Sequence, residues 1–186
     1  MALLKRQTRS FYRLSLLVIF LSCNLVFAQN FESFPEKCLG EWSGMMELYK
    51  NGKFNDSVQV ILHVTKDSLP GYYHWKTEYI SEKYPVTKDY YLIANDSVGH
   101  TYRLDENNDI ILQEFVYGNK MYSTFEVNGA TLSSSYELRQ NTLVFEVFFS
   151  KRQDTTANVV NFDVDNVQRA VLRRETKKPS IEGHRK

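Results

Sequence analysis

Between Leu39 and about Arg173, short stretches of alternating apolar and polar residues are separated by turn-forming residues. There are roughly ten such stretches, and none has the apolar spacing of an amphipathic helix. The alternation is clearest in two stretches, where single faces carry Val58, Val60, Leu62 and Val64, and then Tyr73, Trp75, Thr77 and Tyr79. A period of two is typical of strands with one buried face. The pattern therefore predicts an all-β fold.

Short turns connect the predicted strands. Asn51-Gly52 is the pair preferred in two-residue hairpins of type I′, and Gly118-Asn119 and Asn128-Gly129 mark similar turns. Turns this brief favour an up-and-down meander over a Greek key, which needs a long crossover. Closure into a barrel removes exposed edges. We expect one antiparallel barrel of about 8–10 strands, with a short helical turn before it between Phe31 and Cys38.

The N-terminus resembles a secretory leader. Lys5, Arg6, Arg9 and Arg13 precede an apolar run from Leu14 to Phe27, which is short for a membrane span of about 20 residues. Small or aliphatic residues in Val26-Phe27-Ala28 predict cleavage after Ala28, and the protein would then be secreted or periplasmic. Alternatively, Phe20-Leu21-Ser22-Cys23 serves as a lipobox and Cys23 carries the lipid. Both readings place the folded domain outside the cytoplasm.

The remaining chain fits one domain. We expect a signal peptide over residues 1–28, a barrel over 29–174 and a disordered basic tail over 175–186. Cys38 is the sole cysteine of the predicted mature chain, so an intramolecular disulfide is excluded there. The formal charge of +1 turns negative once the leader cations leave, and the acidic body argues against nucleic acid as a partner. After cleavage no transmembrane segment is expected.

The segment Leu39-Gly40-Glu41-Trp42-Ser43-Gly44 carries a family resemblance. A Gly-x-Trp at the start of the first strand resembles the lipocalin and wider calycin group of β-barrels. The resemblance implies that Gly40 and Trp42 close one end of the barrel, with a late arginine packed on the indole. Arg169, Arg173 or Arg174 would supply that guanidinium. Stacking of this kind gains roughly 0.5 to 2 kcal/mol, while the guanidinium donors can cap backbone carbonyls.

Several family features are missing from the sequence. The late Thr-Asp-Tyr signature is absent, and Thr87-Lys88-Asp89-Tyr90 is interrupted and too early. Asn51-Gly52 leaves no room for the helical lid of fatty-acid-binding proteins. Haem-binding barrels of the nitrobindin type use a late histidine, but after His100 only His184 follows, in the tail. No cofactor or metal site is therefore predicted.

Aromatic and apolar residues on the predicted inner face suggest a ligand cavity. A barrel of about ten strands is wider than its own side chains need to fill, and such pockets prefer apolar or aromatic ligands. The candidate lining residues are Trp42, Met46, Tyr73, Trp75, Thr77, Tyr79, Tyr136 and Phe145. Thr77 or Tyr136 would orient the ligand. Each of these residues could instead simply fill the core.

Three other groups of residues bear on different functions: two suggest a function, and the histidines do not. The dense run Tyr72, Tyr73, Trp75, Tyr79, Tyr84, Tyr90, Tyr91 could form an exposed platform that stacks on glycan. Glu114 and Glu126 lie on adjacent predicted strands and could approach each other. His63, His74 and His100 are scattered without metal-ligand spacing, and no nucleophile elbow occurs.

These observations predict a non-enzymatic lipocalin-like protein that binds a small hydrophobic molecule inside the barrel. The alternative is an envelope binding module that recognises glycan or protein through surface aromatics.

Overall fold

The computed structural model describes residues 32–95, 99–153 and 158–175. Contacts divide the chain into two units, Met1–Glu32 and Ser33–Lys186, and the fold described below belongs to the second. The predicted leader with its cleavage site and Cys23, and the tail beyond residue 175, lie outside the described residues. None of the helices within the described ranges is long and apolar enough to cross a membrane.

One short helix and ten strands make up the described fold. The helix α1 spans Phe34–Lys37, and Pro35 and the Ser33 N–H donating to Glu36 Oε2 (3.2 Å) define its first turn. The strands, in chain order, are β1 Gly40–Lys50, β2 Lys53–Lys66, β3 Tyr72–Ile80, β4 Val86–Ala94, β5 Thr101–Asp105, β6 Ile111–Tyr117, β7 Lys120–Val127, β8 Ala130–Arg139, β9 Thr142–Arg152 and β10 Phe162–Arg174.

The strands form a closed antiparallel meander. Each strand pairs with the next, and β1 pairs with β10 from Trp42↔Arg174 to Lys50↔Asn166. The hairpin between β1 and β2 uses Asn51-Gly52 as predicted, with φ of 49° and 74°, which suits the type I′ turn. The predicted all-β up-and-down barrel is thus confirmed, with ten strands.

Alternate residues of each strand face the interior. The buried set includes the even positions of β1 and β2 and the odd positions of β3, as the sequence periodicity predicted. The core is formed mainly by Trp42, Met46, Val60, Leu62, Val64, Tyr73, Trp75, Leu92, Tyr102, Met121, Leu143, Ala170 and Leu172. Within the described residues no disulfide stabilises the core, since Cys38 is a free, buried thiol.

Arg174 closes the end of the barrel next to α1. Its guanidinium lies 4.3 Å from the Trp42 ring centroid and donates to the carbonyls of Lys37 (2.6 Å) and Leu39. The Trp42 indole N–H donates to the Cys38 carbonyl at 2.7 Å. One cation therefore stacks on the indole and caps the α1–β1 connection, which is the arrangement that the resemblance implied.

Arg169 and Arg173 do not take part in this closure, so the expectation for these two residues is wrong. Inward-facing positions of β10 include Ala170 and Leu172, which places the odd-numbered arginines on the outer face. There Arg169 Nε approaches Glu146 Oε2 at 3.6 Å. Gly40 begins β1: its φ is 122°, and a Cβ there would lie 3.6 Å from the Arg174 guanidinium.

Gly44 allows β10 to approach β1 closely. A Cβ at this position would lie 2.2 Å from the Val171 carbonyl oxygen, which belongs to the paired strand. Because the obstacle is backbone and not a flexible side chain, any larger residue must displace the β1–β10 pairing. The close approach thus depends on glycine at the seam that shuts the barrel.

Candidate functional site

The two ends of the barrel differ. Helix α1 covers one end, where Ser33 Oγ lies 3.3 Å from the Tyr73 hydroxyl and Lys66 Nζ pairs with Glu36 at 2.8 Å. Phe34 and Trp42 are buried beneath this cover. The opposite end is bounded by the β1–β2, β3–β4, β5–β6 and β7–β8 turns. We call the first the closed end and the second the open end.

A cavity of about 180 Å³ occupies the open half of the barrel. Its wall is largely aromatic and aliphatic, with polar groups at separate points, and it is formed by Thr77, Tyr79, Lys88, Tyr90, Leu104, Glu106, Leu112, Glu114, Phe125, Leu132, Ser134, Tyr136, Phe145, Val147, Phe149 and Gln168. A volume near 150 Å³ is enough for a benzene ring. The cavity can therefore hold one ring-sized group.

The cavity adjoins a wider depression at the open end. Tyr79, Lys88 and Gln168 line both spaces, and the depression, of about 790 Å³, is more open to solvent. Its other walls include Met46 from β1 and the exposed Tyr84 from the β3–β4 turn. A molecule longer than one ring could place its ring in the cavity and the rest in this depression.

Glu114 is the most buried charged-type residue of the wall. Its side chain projects inward from β6 and the residue is only 4% exposed. Burial raises the pKa of its carboxyl from an ordinary value of 4.5 to about 8. Ser123, on β7, opposes this rise through its contact with the carboxyl, but burial outweighs it. The Ser123 hydroxyl donates a hydrogen bond to the Gln113 carbonyl at 2.7 Å.

Three tyrosine hydroxyls share the cavity with this carboxyl. Burial raises the pKa of Tyr79 to about 12. The pKa of Tyr90 is raised by burial first and then by Glu106, whose carboxylate accepts a hydrogen bond from the Tyr90 hydroxyl. Burial also raises the pKa of Tyr136, and the neighbouring Tyr79 adds to the rise. All three hydroxyls stay protonated at neutral pH and act as donors or acceptors without charge.

The structure divides the predicted lining residues into groups. Thr77, Tyr79, Tyr136 and Phe145 line the cavity, and the Tyr136 and Phe145 rings stack with centroids 4.4 Å apart. Met46 lines the depression at the open end.

Trp42, Tyr73 and Trp75 do not line the cavity, which corrects the expectation that the whole aromatic face forms its wall. Trp42 and Tyr73 lie against the closed end, and Trp75 packs edge-on against Tyr136 at 5.2 Å.

Sequence reasoning missed several wall residues and composed the tyrosine platform wrongly. Ser134 and Gln168 were not singled out, and Tyr90 was assigned to the exposed platform, although each holds an inward position of its strand. The proposed platform does not exist as one surface, because Tyr73, Trp75, Tyr79 and Tyr90 face the interior while Tyr72 and Tyr91 lie on alternate positions that face outward. Glu114 and Glu126 also lie on opposite faces. Glu114 faces the cavity, whereas Glu126 follows the inward-facing Phe125 on β7 and therefore faces outward.

No family model and no curated protein matches the chain. Among solved structures, S-type phycobiliprotein lyase CPES from Guillardia theta is similar, with 9% identity, 78% of this chain and 92% of that chain covered, and a TM-score of 0.58. Rv2717c from M. tuberculosis has 12% identity, 74% and 92% coverage and a TM-score of 0.50. A mutant of the fluorescent protein UnaG has 13% identity, 76% and 99% coverage and a TM-score of 0.43.

The fold is that of a calycin-type barrel. Coverage of 92% of the lyase shows that the likeness extends over nearly the whole of that barrel and is not limited to one hairpin. At 9% identity it carries no side-chain correspondence. The chemistry of the site therefore has to be argued from the cavity of this chain.

Proposed function

We propose that this protein binds a small apolar or aromatic molecule in the open half of its barrel and does so without catalysis. The observation that carries the proposal is the cavity of about 180 Å³, whose wall is mainly aromatic and which adjoins the open end. Small-molecule sites in proteins have this character, with apolar walls and a few polar groups that orient the ligand. In this account Thr77, Tyr136 and Glu114 provide orientation.

Burial of apolar surface supplies the affinity. Each Å² of ligand surface removed from water contributes about 25 cal/mol, and a planar ring would contact Tyr136, Phe145 and Phe149 on the wall. We propose that the protein is exported by its leader and meets its ligand outside the cytoplasm.

A cavity-filling substitution tests the proposal. Ser134 faces the cavity from β8, whereas its neighbour Ser135 pairs with Glu146 and faces outward. We expect Ser134→Trp to abolish the binding of indole, measured by calorimetry on the ligand-free protein. Ser135→Trp adds the same side chain to the outer face and should leave binding unchanged. Equal indole affinity in both variants would contradict a site inside the barrel.

The outer face of β6 and β7 favours a second candidate, recognition of glycan or protein. Phe115, Tyr117 and Tyr122 are 46%, 71% and 41% exposed, and the two tyrosine rings meet at 6.2 Å. Lys120 Nζ lies 4.8 Å from the Tyr122 ring centroid. Exposed aromatic clusters of this type often mark binding surfaces. If this is the functional surface, Tyr117→Ala should remove binding to envelope glycan while Ser134→Trp has no effect.

A further inference from the structure

We propose that the ligand is an organic amine, whose ammonium group pairs with the carboxylate of Glu114 while its ring lies among the aromatic residues of the cavity. This inference rests on the proposed function and specifies the chemical class of the ligand. It starts from a buried carboxyl that lines a cavity and has no cationic partner in the described part of the chain.

Among the residues that the structure describes, the groups that face Glu114 include no cation that compensates its charge. Tyr102 lies opposite it on β5, and Tyr136 faces it from β8. Glu106 adds a second carboxylate to the same wall, and Lys88 is the cationic residue among those that line the cavity. Lys88 does not contribute to the pKa of Glu114, which is governed by burial and by Ser123. A cation brought by a ligand would therefore find a carboxyl that is not already paired.

The hydrogen-bonding pattern favours an ammonium over a neutral acceptor. The contact with Ser123 stabilises the ionised carboxylate of Glu114 less than burial destabilises it. The carboxylate is therefore short of hydrogen-bond donors, and a ligand that only accepts hydrogen bonds does not supply any. An ammonium group instead displaces the proton of Glu114 and supplies donors that the ionised carboxylate lacks.

The surrounding rings add to the attraction for a cation. Six aromatic side chains line the cavity: Tyr79, Tyr90, Phe125, Tyr136, Phe145 and Phe149. The negative faces of aromatic rings stabilise ammonium groups, and the effect is larger in desolvated sites. The same rings pack against the apolar body of the ligand. A cavity of about 180 Å³ suits an arylalkyl amine with one ring system, with any longer part extending towards the depression.

Three probes of matched shape test the proposal: tryptamine (cationic), tryptophol (neutral) and indolepropionate (anionic). We expect tryptamine to bind at least tenfold more tightly than tryptophol in calorimetry at about pH 8, and indolepropionate to bind most weakly. The affinity for tryptamine should fall about tenfold for each pH unit below about 8, because tryptamine binding must expel the proton of Glu114.

Variants separate this inference from the proposed function. Glu114→Gln keeps the size and the hydrogen-bonding capacity but removes the charge, so it should reduce tryptamine affinity to that of tryptophol. Glu126→Gln, on the outer face of the adjoining strand, should change nothing. Tryptophol binding as tightly as tryptamine, or tryptamine affinity that is independent of pH and of Glu114→Gln, would overturn the amine and leave the cavity as a ligand site. Failure of all three probes to bind would count against both.

Discussion

The buried carboxyl of Glu114 makes the stability of the ligand-free barrel depend on pH. Its pKa is about 8 in the folded protein and 4.5 when exposed. Because the folded-state pKa is raised, the free energy of unfolding is highest below the unfolded pKa, where Glu114 is protonated in both states. It falls as the pH rises to about 8, since the unfolded state loses the proton first. A difference of this size corresponds to about 5 kcal/mol when the loss is complete. Between about pH 5 and about pH 8 the loss is about 3.5 kcal/mol.

Glu114→Gln isolates this effect, because the other titrating groups are common to both proteins. We expect the free energy of unfolding of wild type, relative to Glu114→Gln, to fall by about 3.5 kcal/mol over that pH range. Urea denaturation followed by tryptophan fluorescence measures the difference at each pH. Glu126→Gln, which removes an exposed carboxyl, serves as the matched control and should show no such slope. A pH-independent difference between wild type and Glu114→Gln would refute the burial argument.

Three further predictions concern the closed end and the seam. Arg174→Ala should lower the free energy of unfolding by about 2 to 4 kcal/mol, because its stacking and carbonyl contacts are lost, whereas Arg173→Ala should change it by less than about 0.5 kcal/mol. Urea denaturation measures both values, and equal effects would contradict Arg174 as the partner of Trp42. Gly44→Ala should cost about 3 kcal/mol or prevent folding, because its Cβ meets the Val171 carbonyl; an unchanged melting temperature would disprove this. Burial raises the pKa of Cys38 to about 12, so iodoacetamide should modify it only after unfolding; rapid native labelling, located by peptide mass spectrometry, would show that the closed end opens.

The strand pattern was predictable because most strands carry apolar residues on one face only. Val58, Val60, Leu62 and Val64 on β2 set both the period and the inward face, and Asn51-Gly52 fixed the turn before them. The closed topology followed from short connections. Antiparallel pairing and hairpin turns are local features, so they can be read from nearby residues.

The identity of the closing arginine was not predictable, because β10 lacks the one-sided apolar pattern of strands such as β2. β10 has apolar residues at both parities, since Val171 is 40% exposed while Leu172 is buried. The sequence therefore does not distinguish which of Arg173 and Arg174 faces inward. The bulge between Val164 and Asn166 also shifts the alternation, so the inward positions at the start of β10 do not predict those at its end. A shift of one residue exchanges the two faces.

The same ambiguity concealed the inward orientation of Glu114. On β6, Ile111 and Phe115 are exposed, while Leu112 and Val116 face inward with Glu114 between them. A carboxylate flanked by apolar residues of both parities is most often on the outer face, because buried unpaired charges are costly. Two structural observations show that Glu114 faces inward: it is paired with the buried Tyr102 on β5, and it lies in the cavity wall.

The central claim is that a small molecule occupies the cavity in the open half of the barrel. Native mass spectrometry of the protein purified from its own host tests this most directly, with Ser134→Trp and Ser135→Trp measured in parallel. We expect one additional small-molecule mass on wild type and on Ser135→Trp, released on denaturation, and none on Ser134→Trp. An identical mass retained by Ser134→Trp, or a ligand-free mass for all three proteins, would contradict it.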